Sequence, residues 1–155
     1  MKKYLLLVVW IIVFQGVGFL MGQIIQGSVN IWYESLIKST LTPPNYIFGI
    51  AWSILYLLIA ISGWIIWRAK KTPRINIIRK SFIVQAFLNW SWTPLFFYYH
   101  LILSSFVCLV FISVFSLHVI LKSIRTLPVV ALLFIPYFLW LAYATYLSYQ
   151  MWLLN

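Results

Sequence analysis

The sequence is nearly without acid. Its 155 residues include one Asp or Glu, Glu34, against 11 Lys and Arg. Charged residues make up 8% of the chain, where a soluble domain carries roughly 25%. Hydrophobic residues make up 65%. That balance excludes a soluble enzyme and a soluble nucleic-acid binder, and it places the chain in a membrane. Cysteine is as scarce. Cys108 stands alone in an apolar run, so no intrachain disulfide can form and no Cys/His metal spacing exists. It reads as a small buried hydrophobe. A Gly-rich phosphate loop, a hydrolase triad, internal repeats and low-complexity stretches are also missing. No acid lies inside an apolar run, which argues against ion-coupled pumps and small multidrug exporters. His118 sits within a run and His100 at a turn. Each reads more readily as a helix-helix hydrogen bonder than as a haem ligand.

What the chain does have is length in its apolar runs. A spanning helix needs about 20 apolar residues. Five segments meet that measure or nearly so, at about 4–25, 44–67, 81–99, 101–121 and 127–152. No stretch alternates with period two as a membrane barrel would. The expectation is an all-α integral membrane protein, a bundle of five transmembrane helices. Residues 1–155 form one domain, since no linker is long enough to separate two. A tight turn at Tyr98, Tyr99 and His100 must join the third and fourth spans. Lys2 and Lys3 before an apolar run resemble a signal peptide, but the run is too long and no A-x-A-like site follows. The first run therefore reads as a retained helix, with Gly18 and Gly22 as a small-xxx-small pair for close packing, either internal or between subunits. Five spans place Lys2, Lys3, Arg68, Lys70, Lys71, Arg74, Arg79, Lys80, Lys122 and Arg125 on one side. Lys38 alone falls on the other. Positive charge marks the inner side, so the N-terminus is expected in the cytoplasm and the C-terminus outside. The basic residues from Arg68 to Lys80 suit anionic lipid as well as topology.

Aromatic residues make up 20% of the chain, nine of them Trp. Trp10, Trp32, Trp64, Trp67 and Trp152 are candidates for the interfacial belt. Others follow helical register. Phe48, Trp52 and Tyr56 share a face of the second span, and Gln85, Asn89, Trp92 and Phe96 share one of the third. Pro136, Trp140 and Ala144 share one of the fifth. The Gln85 and Asn89 face must turn away from lipid. Spacing leaves two possibilities open. One is a packed aromatic core in which Asn89 binds a neighbouring helix. The other is a cavity for a flat apolar molecule, with Trp rings for stacking, Asn89 as polar anchor and Ala144 leaving room.

Three stretches carry a resemblance: WYESLIKSTLTPPNYIFGIAWSILY, QAFLNWSWTPLFF and PYFLWLAYATYLSYQMWLLN. Together they resemble the translocator protein family, TspO/MBR, also called the peripheral-type benzodiazepine receptors. Its pattern is roughly WYxxLxKPxxxPPxxxFxxxWxxLY, then LNxxWxxxFF, then PYxxWxxxAxxLN. The resemblance implies five transmembrane helices, commonly dimeric, with a pocket closed by the first loop. It implies binding of porphyrins such as protoporphyrin IX and of isoquinoline and benzodiazepine-type ligands. No cofactor is required; porphyrin is ligand or substrate.

Matched residue by residue, Tyr33 and the Pro43-Pro44 pair fall in the loop and at the second-helix start. Trp52 and Tyr56 fall in the second-helix motif, Asn89 and Trp92 in the third, Trp140 and Ala144 in the fifth. The ligand-binding set is therefore Tyr33, Phe48, Trp52, Tyr56, Gln85, Asn89, Trp92, Trp140 and Ala144. Trp52 and Trp140 would carry any light-dependent porphyrin breakdown. Ser39 and Ser148 depart from the pattern, which has Pro and Asn there. The proposed cholesterol motif fails for want of a Lys or Arg after Tyr149. The loop would lie as an amphipathic lid, a short helix capped by Asn30 with Glu34 in its first turn. The expected partners are a porphyrin, membrane lipid and a second copy of the chain in a bacterial cell membrane. Binding protein, light-driven porphyrin-degrading protein and facilitative transporter all remain open.

Overall fold

Apolar runs bounded by proline and charge give the helices their ends. The computed structural model describes residues 2–155, without the side chains of Lys2, Lys3 and Asn30. The described residues form α1 (Lys2–Ser28), α2 (Asn45–Arg68), α3 (Pro73–Phe97), α4 (Ile102–Ser123) and α5 (Pro128–Leu154). There is no strand among them. By length and hydropathy, α1, α2, α4 and α5 suffice to cross a membrane. α3 falls short of that measure. Arg74, Arg79 and Lys80 occupy its first turns, and Gln85, Asn89 and Thr93 dilute the apolar stretch that follows.

α3 also begins earlier than the hydropathy suggested, at Pro73. The Thr72 hydroxyl accepts from the Ile75 N–H at 3.2 Å, and Pro73 needs no amide partner in the first turn. The basic residues then serve the helix ends around them. Arg79 Nη2 donates to the Trp67 and Ala69 carbonyls at 3.0 Å each, and Arg74 Nε donates to the Lys122 carbonyl at 2.9 Å. These are carbonyls that a finished helix leaves unpaired.

α3 lies at the centre of the packing. It runs against α4, α4 against α5, α2 against α1 and α5, and α3 also meets α1. Beneath the middle of the bundle lies an aromatic plug. Trp10 and Phe14 of α1 meet Phe82 of α3 with ring centres 5.8 and 6.1 Å apart. Trp10, expected in the interfacial belt, instead packs against the core over the bare backbone of Gly63. Within the chain, Gly18 alone of the expected pair marks a close approach. Gly18 lies under the Tyr56 ring, whereas no neighbour comes within 4 Å of a Cβ built at Gly22.

The lid differs from a separate capped helix. α1 runs on into a π-helical turn, Val29–Tyr33, with no side-chain cap at its start. The expected cap rests on the Asn30 side chain, which lies outside what is described. Past Tyr33 two more residues, Glu34 and Ser35, are helical, and the chain then bends and reaches Pro44 without regular structure. His100 closes the α3–α4 turn at φ 56°, in the left-handed region. Its ring stacks on Trp32 at 4.1 Å. The Ser28 hydroxyl donates to the Phe97 carbonyl, so His100 Nε2–H is left to donate to Ser28 Oγ at 3.1 Å.

Candidate ligand-binding cavity

A cavity of about 580 Å³ lies between α1, α2, α3 and α5, under the π-helical turn. That is ample for a drug-sized molecule, whose sites run from roughly 300 to 1,000 Å³. No Asp, Glu, Lys, Arg or His lines it. Its walls are built by helical faces. Phe48, Trp52 and Tyr56 come from α2, Asn89, Trp92 and Phe96 from α3, and Ala144, Leu147 and Ser148 from α5. Tyr33 enters from the lid, buried against Phe96 at 6.1 Å. The rings touch one another: Trp52 meets Tyr56 at 5.6 Å and Trp92 at 6.2 Å, and Trp92 stacks on Phe96 at 5.7 Å.

Two residues of the expected set stand off the wall. Gln85 is fully buried one helical turn beyond Asn89, and it does not reach the cavity. Trp140 lies behind Phe48, ring centres 5.9 Å apart, and against Tyr143 at 5.6 Å. Gln15, Ser53 and Thr93 join the lining without having been singled out. Gln15 Nε2 donates to the Ser53 carbonyl at 2.8 Å, tying α1 to α2. The signal was present: Gln15 is an amide midway along the first apolar run, as conspicuous as Asn89.

Asn89 itself is 3% exposed and sits in a directed chain of hydrogen bonds. Tyr56 Oη donates to Asn89 Oδ1 at 2.9 Å, and Asn89 Nδ2 donates to Tyr137 Oη at 2.9 Å. Tyr137 Oη then donates to Gln85 Oε1 at 2.9 Å. Three helices are joined through apolar surroundings, where an unpaired amide would be costly. Asn89 thus lines the cavity and binds its neighbours together.

The lid is held at several points. Glu34 accepts from Lys38 Nζ at 2.8 Å and from Asn45 Nδ2 at 2.6 Å. These two bonds, Lys38 first, hold its carboxyl below the usual range. Lys38 also rests 4.4 Å over the Tyr33 ring. Burial, and then the Glu34 charge, push the Tyr33 phenol up to about 12, so it stays protonated at neutral pH.

These features define a helical membrane protein with an internal, aromatic, charge-free cavity beneath a tethered lid. The chain belongs to the TspO/MBR family, whose profile matches residues 8–153. It is 35% identical to protein CrtK of Rhodobacter capsulatus over 131 residues, 83% of this chain and 81% of that protein. It is 32% identical to the tryptophan-rich protein TspO of Archaeoglobus fulgidus, over 96% of each chain. The translocator protein of Ovis aries is 32% identical, over 87% of this chain and 81% of its own.

Proposed function

We propose that this protein binds a flat, apolar tetrapyrrole of the protoporphyrin IX kind within the bundle. Isoquinoline and benzodiazepine-type ligands would share the site. The observation that carries this reading is the cavity of about 580 Å³ walled by aromatic rings without a charged group. Trp52 and Trp92 supply ring faces for stacking. Ala144 keeps the α5 wall shallow, and Tyr33 closes the top. In this reading α3 is the fifth membrane span. Its polar side chains support that, because Gln85 and Asn89 turn inward at 0% and 3% exposure. The basic end of the bundle then faces the cytoplasm, with the lid outside.

The test is a titration of the purified protein in detergent with protoporphyrin IX, followed by tryptophan quenching in the dark. Saturable quenching, weakened in Trp52→Phe, supports the reading. Linear quenching that never saturates overturns it.

A second reading has the bound porphyrin consumed under light. It is favoured by Trp52, which stands on the wall in ring contact with both Tyr56 and Trp92. Trp140 would act only through Phe48. Illumination of the saturated complex distinguishes the two readings. A new absorbing species formed by the wild type and lost in Trp52→Phe, with dark binding retained, supports the second.

A further inference from the structure

The two ends of the bundle differ in charge. Glu34, the one acid of the chain, lies in the lid and is paired there with Lys38 at 2.8 Å. The cations from Arg68 to Lys80 and from Lys122 to Arg125 lie at the opposite end. Among the described residues none of these has a carboxylate partner.

Their neighbours decide which of them can bind something else. Arg79 is spent on carbonyls at the end of α2, through Nε and Nη2. Arg68 lies 4.8 Å over the Trp64 ring. Arg74 is engaged through Nε alone, which donates to the Lys122 carbonyl at 2.9 Å. Its two Nη groups, which with a guanidinium's planar fork can grip a phosphate in parallel bonds, have no partner among the described residues. The Nε bond also carries Arg74 from α3 across to the last turn of α4. Lys122 stands in that turn, and Arg125 follows it towards α5. The Thr126 hydroxyl donates to the same Lys122 carbonyl at 3.1 Å, which folds the turn back on this point. Arg74 and Lys122 are half-buried, and Arg125 is exposed.

The end of α4 balances only part of this charge. A helix C-terminus carries about half a negative elementary charge, against three full positive ones here. Salt and water screen half-buried charges less than exposed ones, so the remainder calls for an anion. The flanks indicate which anion. Ile77 lies one turn from Arg74 on the same side of α3, and Leu121 and Ile124 stand on either side of Lys122 in the chain. All three are exposed and apolar. A free phosphate makes no use of such neighbours, whereas the acyl chains of a lipid do. Basic clusters between helices at the inner membrane surface suit anionic head groups.

We infer that Arg74, Lys122 and Arg125 form a binding site for an anionic phospholipid at the α3–α4 seam, with the phosphate on the Arg74 fork and the acyl chains along Ile77 and Leu121. The site lies at the end of the bundle away from the lid. It goes beyond the cavity reading and does not depend on it.

The test uses the purified full chain in a nonionic detergent with equimolar phosphatidylglycerol and phosphatidylcholine of identical acyl chains. Native mass spectrometry counts the lipids retained. The wild type should prefer phosphatidylglycerol about tenfold. Arg74→Gln should weaken that lipid roughly fivefold, and Arg74→Lys, which keeps the charge but loses the fork, roughly twofold to threefold. Lys122→Gln/Arg125→Gln leaves the Arg74 bond to the Lys122 carbonyl in place and should weaken it roughly tenfold. Lys70→Gln/Lys71→Gln removes the same charge from the neighbouring loop and should change it by less than about twofold. Equal losses in the two double variants would assign the attraction to net charge and overturn the inference. Equal retention of the two lipids by the wild type would overturn it as well. So would displacement of phosphatidylglycerol by inorganic phosphate at the same concentration, which would mark an anion site indifferent to acyl chains.

Discussion

The Asn155 carboxamide holds both backbone groups of Ile37. Its Oδ1 accepts from the Ile37 N–H at 3.0 Å, and its Nδ2 donates to the Ile37 carbonyl at 3.0 Å. The same Nδ2 donates to the Met151 carbonyl at 2.9 Å, which fixes the amide to α5. Tyr143, also on α5, donates its hydroxyl to the Leu41 carbonyl at 2.6 Å. The lid is thus fastened to the helix that forms one wall of the cavity. Asn155→Ala should leave the bundle intact, because these bonds are exposed, and should loosen the lid alone. Hydrogen exchange at Ile37 should accelerate, and dissociation of a bound porphyrin should quicken about fivefold, for a loss of roughly 1 kcal/mol. Unchanged exchange at Ile37 would mean that the rest of the lid suffices to hold it.

The lid should also respond to acid. Glu34 is held below its usual value by Lys38 and Asn45 in the closed lid, so closure favours the carboxylate. A group lowered in this way contributes fully above its unperturbed pKa, about 4.3 for Glu, and its contribution is lost as pH falls through the lowered value. Porphyrin release should be flat above about pH 5.5 and quicken below about pH 4. Glu34→Gln should release faster at neutral pH and lose the acid response. An acid response that survives in Glu34→Gln would assign it to another group.

Two glycines mark close approaches and should not tolerate a methyl group. A Cβ at Gly63 would lie 2.5 Å from Trp10 Cζ3 and 2.9 Å from Phe82 Cζ. Gly63→Ala should lower stability by about 1–3 kcal/mol, read as the midpoint of thermal unfolding in detergent. At Gly18 a Cβ would stand 2.6 Å from the Tyr56 ring. Gly18→Ala should therefore displace Tyr56 and weaken ligand binding as well as the fold. Gly16 has nothing within 4 Å and serves as the control. There Ala should be neutral or stabilising by up to about 1 kcal/mol.

Periodicity made the cavity faces legible, because residues four apart in a helix share a side. It could not give depth along the axis. Gln85 and Asn89 share a face of α3, yet one turn separates a residue sealed by Tyr137 from one that lines the cavity. Trp140 and Ala144 differ in the same way on α5. Hydropathy located the apolar runs but hid the start of α3. Its first turns are basic because they serve the carbonyl ends of α2 and α4, a tertiary need with no local signature. The lid's path was similarly hidden. Its fastening depends on Asn155 meeting Ile37 from the far end of the sequence. Tyr137 belongs to the fifth-helix motif, but its role as the link between two amides depends on side chains that bridge α3 and α5.

That link yields the sharpest test of what holds the bundle together. Tyr137 is fully buried, accepts from Asn89 and donates to Gln85. Gln85 Nε2 has no partner among the described residues and Gln85 Oε1 accepts from Tyr137, so Tyr137→Phe would strip the remaining hydrogen bond from its side chain. Tyr137→Phe should destabilise the protein by roughly 1–3 kcal/mol, the cost of leaving a buried polar group unsatisfied. Replacing Gln85 by Leu in the same chain removes the stranded amide, and the double variant Tyr137→Phe/Gln85→Leu should recover much of that loss. Asn89 would still lose its acceptor, so recovery should be incomplete. The readout is the thermal midpoint of the two single variants and the double in one detergent. Strict additivity of the single effects would mean that Tyr137 and Gln85 are energetically independent and that their contact contributes nothing to the side-chain bridge between α3 and α5.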